Sequence, residues 1–202
     1  MHPLAPTKVS AGPAQEVIWQ GADLLNGHGL DMLPVPISTP GFDNAPYLTS
    51  ANWVTKDPET GTYNIGNYRS QIKAPNRNGG LFLGQHRGTH WQKCKTKGIS
   101  LEAAIVIGVV PVIAYAATAK LPYDFDEYRL AGGLAGEPID VIQCKTVDLL
   151  VPATAEILKE RFRLSGSNPR DRLASIPATW AIAACRWTSL ASRTGAMRSI
   201  RR

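Results

Sequence analysis

The longest apolar stretch of the chain runs from Ala103 to Ala119, 17 residues interrupted by Gly108 and Pro111. It is too short and too broken for a membrane span, which needs about 20 apolar residues in one helix. A buried strand over Ala104–Gly108 followed by a helix explains it better. Pro111 suits the first helical turn, where its missing N–H needs no partner, and the helix is predicted to about Ala119. With 44% hydrophobic and 19% charged residues, the composition is that of a packed domain. Three scattered cysteines, Cys94, Cys144 and Cys185, form neither a disulfide framework nor a paired-cysteine metal site. Met1–Pro6 lacks the charged-then-apolar order of a signal peptide. A reduced, cytoplasmic chain is the reading these features support.

The elements on either side are mostly strands and turns. Gln15–Trp19 is a short apolar run, and Leu33–Ile37 is held extended by its prolines. Tyr47–Lys56 mixes β-branched and aromatic residues and reads as a strand. Asp57–Gly61 is a turn by composition, with Thr62–Ile72 returning as the second strand of a hairpin. Asn76–Gly80 reads as another turn before the apolar Leu81–Leu83. Pro122–Leu134 reads as loop and helix, then Ile139–Cys144 and Val147–Val151 as strands. The sum is an α+β chain, mainly β, without βαβ alternation or a glycine-rich phosphate loop.

Charge is unevenly spread. Residues 1–157 carry 12 Lys+Arg against 14 Asp+Glu, a net of −2, whereas residues 158–202 carry 10 against 2, a net of +8. The overall +6 therefore belongs to the last 45 residues, where nine of the ten bases are arginine. Such a tail can bind phosphates, and Trp180 and Trp187 accompany its arginines. It is also the composition of coding DNA read out of frame.

The polar residues in chemically useful company are Asn64, Arg69, Gln85, His86, His90 and Glu127. Asn, His and Glu together suit a hard or borderline divalent ion such as manganese or magnesium. The same residues also fit a half-buried barrel with polar rims. Asn64 and Arg69 are five apart and would face opposite sides of a regular strand. Sharing one pocket would require a bulge, expected at Gly66. Gln85 and His86 are adjacent, so only one points inward unless the chain turns. His90 reads as a surface or loop histidine, and Cys94 and Cys144 as small core residues.

An ordered series of segments carries a resemblance. It comprises Asp57–Gly61 with Asn64–Arg69, Ala104–Gly108 with Pro111, Asp126–Tyr128, Gly136–Pro138, and Cys144–Asp148 through Val151–Ile157. Together they resemble the UbiD-like decarboxylases, in order from about Ala11 to Ile157. The resemblance implies a flavin-binding split β-barrel over residues 1–157. It implies prenylated FMN and Mn2+, with or without K+, used to add or remove carbon dioxide on aromatic or α,β-unsaturated acids. Asn64, His86 and Glu127 match the metal ligands, and Asn64, Ile65, Arg69, Gln85, His86 and Glu127 the cofactor-binding positions. Arg69 matches the catalytic arginine that holds the substrate carboxylate. Full-length members of the family are homo-oligomers.

One expected feature is absent. The family's proton-donating glutamate lies in a Pro-Glu-Gly-Pro-x-Gly-Glu/Asp motif shortly after the stretch matching Glu156–Ile157. This chain has Asn168-Pro169-Arg170-Asp171-Arg172-Leu173-Ala174-Ser175-Ile176 there. With permitted codons, reading one nucleotide earlier turns Pro169–Ile176 into Pro-Glu-Gly-Pro-Leu-Gly-Glu-His, and Leu158-Lys159-Glu160 into Phe-Glu-Gly. The expectation is a chain in frame to about Ile157, with 158–202 a poorly ordered basic tail. The family's N-terminal α/β segment and its C-terminal domain are not matched. Three readings compete: a truncated, inactive carboxy-lyase fragment; a non-catalytic flavin- and metal-binding module; and a nucleic-acid binder built on the tail.

Overall fold

The computed structural model describes residues 2–81, 85–154, 156–162, 173–175 and 181–183. The first elements are the strands β1 (Thr7–Val9), β2 (Ile18–Gln20), β3 (Tyr47–Leu48), β4 (Asn52–Lys56), β5 (Tyr63–Asn67), β6 (Ser70–Ala74) and β7 (Arg77–Leu81). Helix α1 (His86–Thr96), strand β8 (Leu101–Ile107) and the helices α2 (Pro111–Ala116) and α3 (Glu127–Ala135) follow. The remaining strands are β9 (Asp140–Gln143), β10 (Leu150–Pro152), β11 (Glu156–Phe162), β12 (Leu173–Ser175) and β13 (Ala181–Ala183).

These strands form three sheets with orders β1-β9-β10, β2-β13-β11-β8-β4-β5 and β12-β7-β6-β3. Among the described residues no ladder closes them into a barrel. β11 lies antiparallel on β8 along its whole length, from Glu156 opposite Ile107 to Phe162 opposite Leu101, so one strand runs through residue 157. The arginine-rich remainder of the tail, with Trp180, Cys185 and Trp187, lies outside the described residues.

The apolar run behaves as its composition dictates. Ala103, Ala104, Ile105 and Val106 of β8 are fully buried because both faces of the six-stranded sheet are covered. Ala104 and Val106 join Val54 and Ile65 under Ile113 of α2 and Tyr128 of α3. Ala103 and Ile105 join Trp53 and Cys94 of α1 on the other face. Pro111 opens α2, and the carboxylate of Asp126 caps α3 by accepting from the Tyr128 N–H at 2.8 Å. Gly136 ends α3 in the left-handed conformation, φ 78°, that a glycine adopts without strain.

Five local expectations are corrected. Tyr47–Lys56 is two strands in different sheets, β3 and β4. Thr62–Ile72 is likewise divided: β5 ends at Asn67, and after Tyr68 and Arg69 the chain enters another sheet as β6. The β4–β5 register is unbroken from Asn52 opposite Asn67 to Lys56 opposite Tyr63, so there is no bulge at Gly66. Gly66 is needed for another reason: a Cβ there would lie 2.3 Å from the ring of Tyr68, which folds back over it. The turn expected at Asn76–Gly80 is shorter and earlier, at Pro75–Asn76. Finally, His90 is 1% exposed, on α1 instead of on a surface loop.

Candidate metal and cofactor site

Strand β5 is an edge of the six-stranded sheet, and its outer N–H groups need partners. Glu127, the first residue of α3, supplies one: its Oε2 accepts from the Ile65 N–H at 3.1 Å. The Ala117 carbonyl after α2 accepts from the Asn67 N–H at 3.3 Å. The other Glu127 oxygen, Oε1, accepts from Asn64 Nδ2 at 2.8 Å. His86, the first residue of α1, directs Nδ1 to 3.6 Å from Glu127 Oε1 and 3.5 Å from Asn64 Nδ2. Three elements distant in sequence thus bring Asn64, His86 and Glu127 together. Tyr68 closes the group from behind, its hydroxyl donating to Asn64 Oδ1 at 3.2 Å.

These residues line a cavity of about 530 Å³, together with the 64–68 backbone, Gln85 and the segment 117–121 after α2. Its size lies in the range of cofactor pockets. Glu127 is 2% exposed, and burial pushes its pKa up to about 7 against the hydrogen bonds from Asn64 and Ile65 that pull it down. Burial lowers the His86 pKa, which favours the neutral imidazole that a metal ligand requires. One carboxylate, one neutral imidazole and one amide, converging within 3.6 Å, fit a divalent ion with mixed oxygen and nitrogen preference. The Tyr68 bond fixes the amide with Nδ2 toward Glu127, and turning the amide over would present Oδ1 to a cation.

The other expected site residues are placed as follows. Gln85 is exposed, borders the cavity and immediately precedes α1. Ile65 contributes its backbone, while its side chain is buried in the core. Arg69 is exposed at the link between β5 and β6 and is not among the residues lining the cavity.

Beside the cavity lies a second polar group that sequence reasoning missed. Asp57, 1% exposed, accepts through Oδ2 from Lys93 Nζ at 2.7 Å and from the Tyr123 hydroxyl at 2.5 Å. Its Oδ1 accepts from the N–H groups of Glu59 and Thr60. Burial favours the neutral acid, but these donors together outweigh it and hold the carboxyl well below its ordinary range. His90 bonds Thr55 Oγ1 through Nδ1 at 2.9 Å and faces Asp57 across 3.8 Å. Thr55 is fully buried, so this hydroxyl–imidazole–carboxylate series braces the fold and meets no substrate. The available signal was the Asp-Pro-Glu-Thr-Gly turn, whose first residue has the right type to cap its own loop.

Comparison with known proteins agrees with this architecture. An uncharacterized protein of Archaeoglobus fulgidus is 38% identical over 168 residues, covering 78% of this chain and 31% of that protein. Uncharacterized protein sll0936 of Synechocystis is 37% identical over 150 residues, covering 73% of the chain and 29% of its own length. The chain thus spans about a third of the length of these curated relatives. Among solved structures, the UbiD-class enzyme HmfF from Pelotomaculum thermopropionicum in complex with FMN superposes with a TM-score of 0.77 at 29% identity, covering 90% of this chain and 43% of the enzyme. The closed form of vanillic acid decarboxylase from Sedimentibacter hydroxybenzoicus gives 0.75 at 25% identity, covering 90% of this chain and 42% of the enzyme. Residues 7–160 match the UbiD family, described as the 3-octaprenyl-4-hydroxybenzoate carboxy-lyase Rift-related domain. That match takes in β1–β10, all three helices and the cavity, and the chain accordingly belongs to the UbiD family.

Proposed function

We propose that the cavity is the cofactor site of a carboxy-lyase. In this reading Asn64, His86 and Glu127 would hold a manganese ion and, with it, the phosphate of a prenylated flavin mononucleotide. One observation carries the reading: side chains from β5, α1 and α3 converge with nitrogen and oxygen atoms within 3.6 Å on a cavity of about 530 Å³. HmfF structures with FMN and with prenylated FMN, and the family match, support the choice of cofactor. The charges suit it as well, because a divalent ion with one carboxylate brings a phosphate dianion close to neutrality. The flavin would supply the electron sink for exchanging carbon dioxide on an aromatic or α,β-unsaturated acid. The protein's own part is to hold that phosphate, keep His86 neutral, and present Arg69 to the substrate carboxylate with a planar, two-pronged donor.

Family resemblance further supports a split-barrel description of residues 1–157 and a homo-oligomeric parent enzyme. The family match ends at residue 160, three residues past Ile157, which supports reading 158–202 as sequence from another frame. A second reading, a flavin- and metal-binding module without chemistry, is favoured by the exposure of Arg69 outside the cavity lining.

FMN binding by the purified chain, titrated with and without Mn2+, tests the site. Mn2+ is expected to tighten FMN binding, and Glu127→Ala is expected to abolish that gain. Equal binding with and without the metal would sink the ligand assignment.

A further inference from the structure

We propose that Tyr123, anchored by Asp57, is a positioning residue that fixes the imidazole plane of His86. The inference rests on the reading of the cavity as a metal site, and it names the part of the chain that orients one ligand. At 3.5 and 3.6 Å, the approaches of His86 Nδ1 to Asn64 and Glu127 are too long to set a ring orientation. His86 is also the first residue of α1 and keeps a quarter of its side chain exposed. What meets its ring is Tyr123, edge-to-face at 85° with centroids 5.3 Å apart, a preferred geometry for two aromatic rings.

Tyr123 can act as a wall because it is itself held on several sides. Its hydroxyl donates to Asp57, the Lys93 ammonium lies 5.1 Å from its ring centroid, and the buried His90 ring meets it at 5.8 Å and 78°. Asp57 in turn is fixed by the β4–β5 turn through Glu59 and Thr60, and His90 by Thr55 of β4. A single carboxylate therefore ties together the turn after β4, helix α1 and the loop before α3. That loop leads into α3, whose first residue Glu127 lies four residues beyond Tyr123, so the tether sets His86 and Glu127 relative to one another. Partners that orient a ligand from behind typically change metal affinity about 10–100-fold when removed.

The experiment compares the full chain with Tyr123→Phe, which keeps the ring and removes its anchor, and with Asp57→Asn, which weakens the acceptor. Tyr128→Phe serves as the control: it removes a hydroxyl bonded to the Leu150 carbonyl at 2.9 Å, away from His86. Carbon-13 relaxation of the His86 ring in metal-free protein gives the first readout, and Mn2+ affinity by electron paramagnetic resonance the second. The His86 ring should gain motion in both test variants and not in the control, and Mn2+ should bind about tenfold more weakly to the test variants. A His86 ring as ordered in Tyr123→Phe as in the unaltered chain overturns the proposal. If the unaltered chain takes up no Mn2+, the metal reading falls, and the relaxation of the ring still decides the positioning role.

Discussion

His90 shows how far one side chain's role departs from its local sequence. Its partner Thr55 is 35 residues away, and nothing in His-Arg-Gly-Thr-His marks the second histidine as buried. Burial outweighs the attraction of Asp57 and pulls the His90 pKa down to about 4 from an ordinary 6.5. The unfolded chain takes up a proton near the ordinary value, whereas the folded chain stays neutral until about 4. Between those values the unfolded state binds more protons, so the contribution is complete above 6.5 and is lost as pH falls toward 4. The slope approaches about 1.4 kcal/mol per pH unit. Urea unfolding of the chain and of His90→Gln between about pH 5 and 6.5 checks this, above most of the range where carboxylates titrate. The unaltered chain should lose stability on acidification more steeply by about 1 kcal/mol per unit, and parallel profiles would show that His90 is not held neutral. Gly66 is a similar case: the sequence suggests a bulge there, whereas the structure places the Tyr68 ring over it.

Elements built on apolar patterning were legible, and those built on polar burial were not. The strand β8, the helix opened by Pro111 and the strand β9 lie close to where the apolar runs place them, while β10 begins at Leu150, three residues after the expected Val147. Helix α1 was missed because the side chains it buries are Arg87, His90 and Cys94, which carry little of the apolar periodicity that marks a helix. Arg87 lies in a cation–π sandwich, 4.5 Å from the Trp53 ring and 4.1 Å from that of Tyr68, contacts that are visible only once the sheets are assembled. Helix α3 was legible, and its cap links element to site. Asp126→Ala removes the acceptor of the Tyr128 N–H and should cost about 1 kcal/mol. It should also loosen the first turn that holds Glu127 against Ile65. Amide exchange at Ile65 reads this directly, because its N–H donates to Glu127. Exchange there should accelerate in Asp126→Ala and in Glu127→Ala, while the N–H of Val106, at the centre of the sheet, keeps its protection. Unchanged exchange at Ile65 would mean that the cap does not support the site.

At the scale of the molecule, binding and catalysis separate. Decarboxylation requires a bound cofactor, a cation to orient the carboxylate and an acid to return a proton to carbon. In the proposed reading the cavity would supply the first, but among its described lining residues the carboxylate is Glu127 alone, and metal ligation would engage it. Arg69 stands exposed outside that lining, in which the cationic side chain among the described residues is Lys120. The proton donor that the resemblance places after Glu156–Ile157 has no counterpart among the described lining residues. A positioned acid contributes about 10²–10⁴-fold, and near-attack orientation of the substrate contributes several kcal/mol more. The expected outcome is that the 202-residue chain, loaded with prenylated FMN and Mn2+, binds its cofactor and releases no measurable carbon dioxide from aromatic or α,β-unsaturated acids. Headspace measurement of carbon dioxide under single-turnover conditions separates a slow enzyme from an inert binding module. Robust release that Arg69→Ala abolishes would show that the exposed arginine does reach the substrate and that a second acid serves the site.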